Sequence, residues 1–299
     1  MQNIHRYSII LSFFGLWLVS VLSVQYQTYV GFFCIFTFGI IHGTNDLVLI
    51  SKLNDSVTVK YGRILATYII AIFVTIALYK FWPFTTLLLF ICFSAYHFGE
   101  QHFDYLDTFV PKLERWSFQF LYGLFVLSLL FYQNDAEVIT IINEMTAVNM
   151  QANFFFYLQF VIGSLLVFNG IYIGIKSSIF FAKIIVEIFF LLIFVIIFKS
   201  STLIWGFALY FILWHSVPSI LSQVEFIHGQ ANKSAILQYL KTGLIFWIIS
   251  MFGMVIIFLM FKDEKLFYTL FFSFIIAITV PHVVVIQKMF SRKSELHEN

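Results

Sequence analysis

The chain has 299 residues, of which 61% are hydrophobic and 11% are charged, with a net charge of +2 at pH 7. No soluble core needs so apolar a composition, and a small net charge without a basic stripe argues against nucleic acid as a partner. Apolar runs of about 18 residues or more recur from end to end, and each is long enough to cross a bilayer. The composition therefore predicts an integral membrane protein.

Ten transmembrane helices are predicted from these runs. The first run, which follows Arg6, has no clear small-x-small cleavage site and is interpreted as a retained helix rather than a signal peptide. The connections are short and polar, such as "SKLNDSVTVKYG" and "KDEK", and there is no convincing internal repeat. We expect one all-α, polytopic bundle over residues 1–299, with helices at about 7–24, 28–50, 63–81, 84–104, 116–133, 153–175, 180–198, 201–222, 239–261 and 267–288.

The distribution of Lys and Arg predicts the orientation of these helices. One set of helix ends holds 13 of these residues and the opposite set holds 4. The connection "QNDAEVITIINEM", predicted to be a loop on the poorer side, has acids and neither Lys nor Arg. Because cytoplasmic loops carry the excess of basic residues, both termini are predicted to be cytoplasmic, with the protein in the inner membrane.

Four histidines are predicted to share one depth in the bundle. Their helices all run from outside to inside, and they precede the predicted helix ends by six to eight residues: His42, His97, His215 and His282. At 1.5 Å per residue this places the imidazoles roughly 9–12 Å above the cytoplasmic end. His5 and His297 are predicted to be solvated in the tails, and His228 to lie on a cytoplasmic loop. A single membrane histidine usually bonds a neighbouring helix, but four at one level indicate a site.

Neutral imidazole is a common ligand for iron and other transition metals, and the surrounding residues suit a metal site. Asp46 follows His42 by four residues, on the same helix face, and could accept the second ring N–H of a histidine. The remaining neighbours are acids, amides, glycines that permit close approach or a helix break, and kinking prolines: Glu100, Gln101, Asp104, Gly43, Gly99, Pro218 and Pro281. These residues predict a metal site between helices.

At these residues the sequence resembles the Brp/Blh-type membrane β-carotene 15,15′-dioxygenases of bacteria and archaea. The resemblance is carried, in chain order, by "GIIHGTND", "SAYHFGEQH", "FILWHSVPS" and "TVPHVVVI" within about residues 28–290. It implies that His42, His97 and His215 are iron ligands and that Asp46 is a supporting acid. It also implies that β-carotene is cleaved by O₂ at the central double bond to give two retinals.

The sequence departs from the family pattern at three positions. Ile41 stands where the family often has Pro, Ser219 where it often has a further histidine, and Gln101 where it often has an acid. The fourth ligand is therefore either His282, favoured by its depth, or His102, which could compensate for the missing side chain.

An all-nitrogen Fe(II) site with an open position supports O₂ chemistry on an electron-rich double bond. A polyene would enter from the bilayer, where carotenoids dissolve. Phe alone accounts for 41 residues, most of which are expected to face lipid or pack helices. A subset near the iron could line a polyene tunnel: Tyr96, Phe98, Phe211 and Trp214. The retinal product could pass to a microbial rhodopsin.

Three other functions use the same histidines. A haem protein would need matched pairs of axial ligands across the bundle. A metal or proton transporter would need polar residues through the full thickness, and the outer halves of the four histidine helices have very few. A desaturase or hydroxylase usually needs HxxH-type clusters, and the sequence contains none. The carotenoid oxygenase remains the preferred interpretation.

Overall fold

The structure is a computed structural model, which describes residues 2–53, 61–108, 110–260 and 264–298. These residues form helices without a strand. The α-helices are α1 (Gln2–Val21), α2 (Val24–Cys34), α3 (Asp46–Leu53), α4 (Tyr61–Phe81), α5 (Pro83–His102), α6 (Lys112–Gln133), α7 (Asp135–Thr146), α8 (Phe154–Lys176), α9 (Ser178–Ser200), α10 (Leu203–Tyr210), α11 (Val217–His228), α12 (Lys233–Met260) and α13 (Glu264–Glu298). The all-α fold class is confirmed.

Seven helical segments in the described ranges are long and apolar enough to cross a membrane, which indicates a multi-pass membrane protein. They are Ile4–Val21, Lys112–Gln133, Phe154–Lys176, Ser178–Ser200, Leu203–His228, Lys233–Gly253 and Phe274–Lys293. The count of ten spans and the cytoplasmic position of both termini remain predictions. The polar connections predicted around residues 54–60 and 262–263 lie outside the described residues.

Side chains at the helix starts explain several boundaries. The hydroxyls of Ser23, Ser177 and Thr202 each accept a bond from a backbone N–H in the first turn of the following helix, α2, α9 and α10 respectively. Such caps satisfy donors that have no partner within the helix. Pro83 is the first residue of α5, a position where the missing N–H of proline carries no penalty.

The predicted continuous helix over residues 28–50 is wrong. After α2 the chain forms a π-helical segment, Ile35–Gly39, and the helix is then interrupted by turn residues around Gly43 before α3 begins at Asp46. The predicted helix over residues 201–222 also contains a π-helical segment, Phe211–Ser216, between α10 and α11. Such segments are rare and recur at functional sites, and each of these two precedes or contains a predicted histidine ligand.

The connection predicted as the loop "QNDAEVITIINEM" is instead mostly the helix α7. Its apolar residues Val138, Ile142 and Met145 recur at the spacing of one helix face, and all three are buried. Polar residues lie between these apolar ones, so the segment has no uniformly apolar run that would predict a membrane span.

The described chain groups into two compact units, each made of three sequence segments. Unit 1 comprises Met1–Ile35, Ser94–Thr140 and Asn149–Pro218. Its interior includes many aromatic side chains: the ring of Phe103 packs against Phe118 at 4.9 Å and Tyr122 at 4.7 Å between centroids. These edge-to-face contacts join α6 to the residue that directly follows α5.

Unit 2 comprises Phe36–Phe93, Ile141–Val148 and Ser219–Asn299. One of its clusters joins Leu49 of α3 to α13 through four buried residues, Val285, Ile286, Met289 and Phe290. Another joins Val224 of α11 to Ala235 and Tyr239 of α12.

Replacing Gly99 with alanine is expected to lower the stability of unit 1. A Cβ at Gly99 would overlap the main-chain carbonyl of Gln119, and a Cβ at Gly123 would overlap that of Ala95. No side-chain rotation relieves a clash with backbone, so α5 and α6 would have to separate, at a cost of about 1–3 kcal/mol for overpacking. The thermal unfolding midpoint of the detergent-solubilised variant measures this cost.

The matched control is Gly253→Ala in α12, where no atom lies within 4 Å of the added Cβ. This variant should unfold at or above the wild-type temperature because alanine favours the helix. Equal midpoints for Gly99→Ala and Gly253→Ala would contradict the close α5–α6 contact.

Candidate metal centre

The first pair of predicted ligands lies in unit 2, where His42 and His282 meet edge to face. Their ring centroids are 4.7 Å apart with an interplanar angle of 86°. His42 is the first of the turn residues 42–45 that come after the first π-helical segment, and His282 follows the proline inside α13. Both side chains are buried, so their ring nitrogens are shielded from solvent.

Oxygen atoms hold one ring nitrogen of each histidine in this pair. The Nδ1 atom of His42 is hydrogen-bonded to the main-chain carbonyl of Gly39. The Nδ1 atom of His282 lies 2.8 Å from Oδ1 of Asp46, and the Tyr68 hydroxyl donates to the other carboxylate oxygen at 2.8 Å. An acceptor at Nδ1 selects the tautomer that presents Nε2 to a metal.

Asp46→Asn is expected to reduce metal affinity and activity by about 10–100-fold, the usual effect of losing an outer partner of a ligating histidine. The amide keeps the size of the side chain but removes the charge that favours the N–H of His282. Metal titration of the purified variant measures the loss. Wild-type metal affinity in this variant would show that Asp46 only packs between helices.

The second pair lies in unit 1, where His97 of α5 and His215 of the second π-helical segment also meet edge to face. Their ring centroids are 4.6 Å apart, and each residue is only 1% exposed. The side-chain amide of Gln101 donates to the main-chain carbonyl of His215 at 2.9 Å. Gln101 therefore links the two histidine-bearing segments of this unit.

Of the residues predicted to line a polyene tunnel, Phe98 and Phe211 contact His215. Their rings lie 4.4 Å and 5.6 Å from the imidazole. Trp214 packs instead against Phe194 of α9 at 4.9 Å, and its indole N–H donates to Ser12 at 3.0 Å.

Tyr96, the fourth of these residues, donates its hydroxyl to Glu100 at 2.7 Å. Its ring meets the edge of Trp116 at 6.2 Å. The hydroxyl of Tyr96 therefore binds Glu100, an acid that the sequence placed near the site.

His102, the alternative fourth ligand, is bound to an acid of another helix. Its Nε2 atom lies 2.7 Å from Oε2 of Glu187 in α9, and its ring stacks on Tyr122 at 4.9 Å. His5 lies next to this group, with its ring 5.1 Å from Phe190. The prediction that His5 is solvated in a tail is wrong, because α1 begins at Gln2 and carries the imidazole into unit 1.

Four polar residues near the histidines were missed in the sequence: Tyr68, Glu187, Gln223 and Tyr239. Glu187 carried a usable signal, because an acid within a 23-residue apolar helix is costly and marks a buried partner. The others had none, since their importance comes from the distant residues that they contact.

The apolar helices and the buried imidazoles together define a multi-pass membrane protein with the side chains for a histidine metal centre. The buried His42 and His282 of unit 2 and the buried His97 of unit 1 each offer a ring nitrogen that a metal ion could bind. The sequence model of the beta-carotene 15,15′-dioxygenase family matches residues 33–290, and the chain belongs to this family. No curated protein and no solved structure matches the chain.

Proposed function

We propose that this protein cleaves β-carotene with O₂ at the central 15,15′ double bond, releasing two molecules of retinal. Membership of the dioxygenase family suggests the activity. The observation that carries the proposal is the arrangement of four buried imidazoles as two edge-to-face pairs, His42 with His282 and His97 with His215.

A ferrous ion is the proposed cofactor, with these four histidines as its ligands. The donor chemistry fits, because neutral imidazoles suit iron and both histidines of the unit 2 pair have Nδ1 held by an oxygen. Ferrous iron, when bound, would supply the O₂ activation that a dioxygenase needs. The shared depth predicted for the four histidines also supports one common site.

The side chains around the histidines have two proposed tasks. Asp46 and Tyr68 orient the His282 ring through consecutive hydrogen bonds. Phe211 stacks on His215 and Phe98 packs against it at a tilt, and the two rings exclude water and offer an apolar surface to a polyene. Substrate entry directly from the bilayer is consistent with the solubility of carotenoids in lipid.

Expression in β-carotene-producing bacteria tests this function. We expect the orange colour to fade while two retinals form for each β-carotene lost, with dependence on iron and O₂ in purified protein. Products of another chain length would show that a different double bond is cleaved. Unchanged β-carotene alongside a haem absorption band, or no turnover by iron-loaded protein, would overturn the proposal.

The proposed cellular setting is the inner membrane, with both termini in the cytoplasm. The seven apolar helices support membrane insertion. Retinal released into the same bilayer could be taken up by a microbial rhodopsin. Fractionation of cells and reporter fusions at the two termini test the location and the orientation.

A further inference from the structure

The break after His42 leaves its main-chain carbonyl outside the regular helical pattern. In an uninterrupted helix this oxygen would accept from the N–H of Asp46, four residues later. Here the N–H of Asp46 points instead to the carbonyl of Gly43, at 3.4 Å. A buried carbonyl displaced in this way needs a donor from elsewhere, since an unsatisfied one costs free energy.

Two side chains from distant segments meet at this carbonyl. The amide of Gln223 in α11 donates to the oxygen of His42 at 2.8 Å, and the hydroxyl of Tyr239 in α12 lies 3.1 Å from it. The same hydroxyl lies 2.8 Å from Oε1 of Gln223. Gln223 is 0% exposed and Tyr239 is 1% exposed, so water does not compete for these bonds.

The number of hydrogen atoms that Gln223 and Tyr239 can donate determines which of these contacts are hydrogen bonds. The NH₂ of Gln223 has two, and its two acceptors are the His42 carbonyl and the Ser219 hydroxyl at 3.1 Å. Tyr239 has one, and the shorter contact is to the amide oxygen of Gln223. Tyr239 therefore holds the amide with its NH₂ towards His42, while Gln223 makes the direct bond.

The helix α12 also fits closely against the turn that follows His42. A Cβ at Gly243 would overlap the Thr44 hydroxyl and lie 2.8 Å from the amide of Asn45. That amide donates to the main-chain carbonyl of Tyr239 at 3.0 Å. The turn is thus held on α12 both by a hydrogen bond and by the absence of a side chain at Gly243.

We infer that Gln223 and Tyr239 are positioning residues of the metal centre, which fix the backbone of His42 and thereby aim its imidazole. This inference rests on the proposed metal site. We call Gln223 and Tyr239 together the clamp. The clamp acts within unit 2, on the histidine whose ring meets His282. Without the contacts of Gln223 and Tyr239, the carbonyl would lose its donors from α11 and α12, the turn would relax, and the Nε2 atom of His42 would move with the backbone.

The test compares Gln223→Met and Tyr239→Phe with wild type as purified full-length proteins. Apoprotein is titrated with Co²⁺, and affinity is followed through the ligand-field absorption of the bound ion. We expect about 10–100-fold weaker binding and a shifted band for Gln223→Met, the size typical of outer-partner losses. The Tyr239→Phe loss should be smaller, and the double variant should resemble Gln223→Met because both residues act through one carbonyl.

Tyr79→Phe is the matched control, since its hydroxyl also donates to a main-chain carbonyl of unit 2, that of Met145 at 3.1 Å. It should lower the thermal unfolding midpoint of the apoprotein measurably, yet leave Co²⁺ binding unchanged. Wild-type affinity and an unshifted band in both test variants would overturn the inference, even if they unfold earlier. Wild-type protein that binds neither Co²⁺ nor Fe²⁺ would instead overturn the metal site, and the clamp with it.

Discussion

His97→Ala is expected to abolish both iron binding and retinal formation. His97 is 1% exposed and meets His215 edge to face. Bulk water therefore has no direct access to the position that the imidazole leaves. Removing one imidazole from the proposed all-nitrogen site would take away one of its proposed direct ligands. The effect should therefore exceed the roughly 10–100-fold loss that follows from removing an outer partner. Metal content of the purified protein and retinal yield in β-carotene-producing cells measure the two losses.

The matched control is His228→Ala, at the end of α11, a histidine predicted to have a surface role. It should keep wild-type metal content and activity. Full metal content in His97→Ala would remove His97 from the ligand set. Loss of metal in both variants would indicate a general defect in folding or insertion rather than the loss of a ligand.

The fourth ligand is expected to be His282, in a chain that departs from the family pattern at Ser219. His282→Ala is expected to lose iron as His97→Ala does, because Asp46 holds the His282 ring in the tautomer that suits a ligand. His102→Ala should retain iron, because its Nε2 atom already bonds Glu187. Iron content and Co²⁺ affinity of the two variants give the answer directly.

Glu187→Gln separates a structural role of His102 from ligation. The amide keeps a hydrogen-bond partner for His102 but removes the charge, so we expect a lower unfolding temperature with normal metal content. Loss of iron in His102→Ala together with its retention in His282→Ala would reverse the assignment of the fourth ligand. Loss in both would enlarge the ligand set.

The sequence by itself determined the class of protein and the family, and it selected the histidines that are proposed as ligands. Apolar runs of this length and number are suited to burial in lipid, so membrane insertion follows from the composition. The histidine motifs could be recognised because an imidazole in such a run is costly and stands out from its neighbours. Asp46 could be found in the same way, because it lies four residues after His42.

Only the tertiary structure decided the local breaks and the partners of each histidine. Apolar content does not distinguish a continuous helix from one with a π-helical segment, so the interruptions before His42 and around His215 were missed. The amphipathic helix α7 was missed because half of its surface is polar. The acceptor of His282 was foreseen only as a possibility, and Tyr68 behind it was not foreseen.

The bonds between Gln223 and His42 and between His102 and Glu187 join residues 181 and 85 positions apart. Neither Gln223 nor Glu187 belongs to a motif, and each becomes important through the atom that it contacts. Hydrophobic burial depends on the average character of a segment and can be read along the chain. Hydrogen bonds depend on a few tenths of an ångström between distant segments, and those distances exist only after the helices have packed.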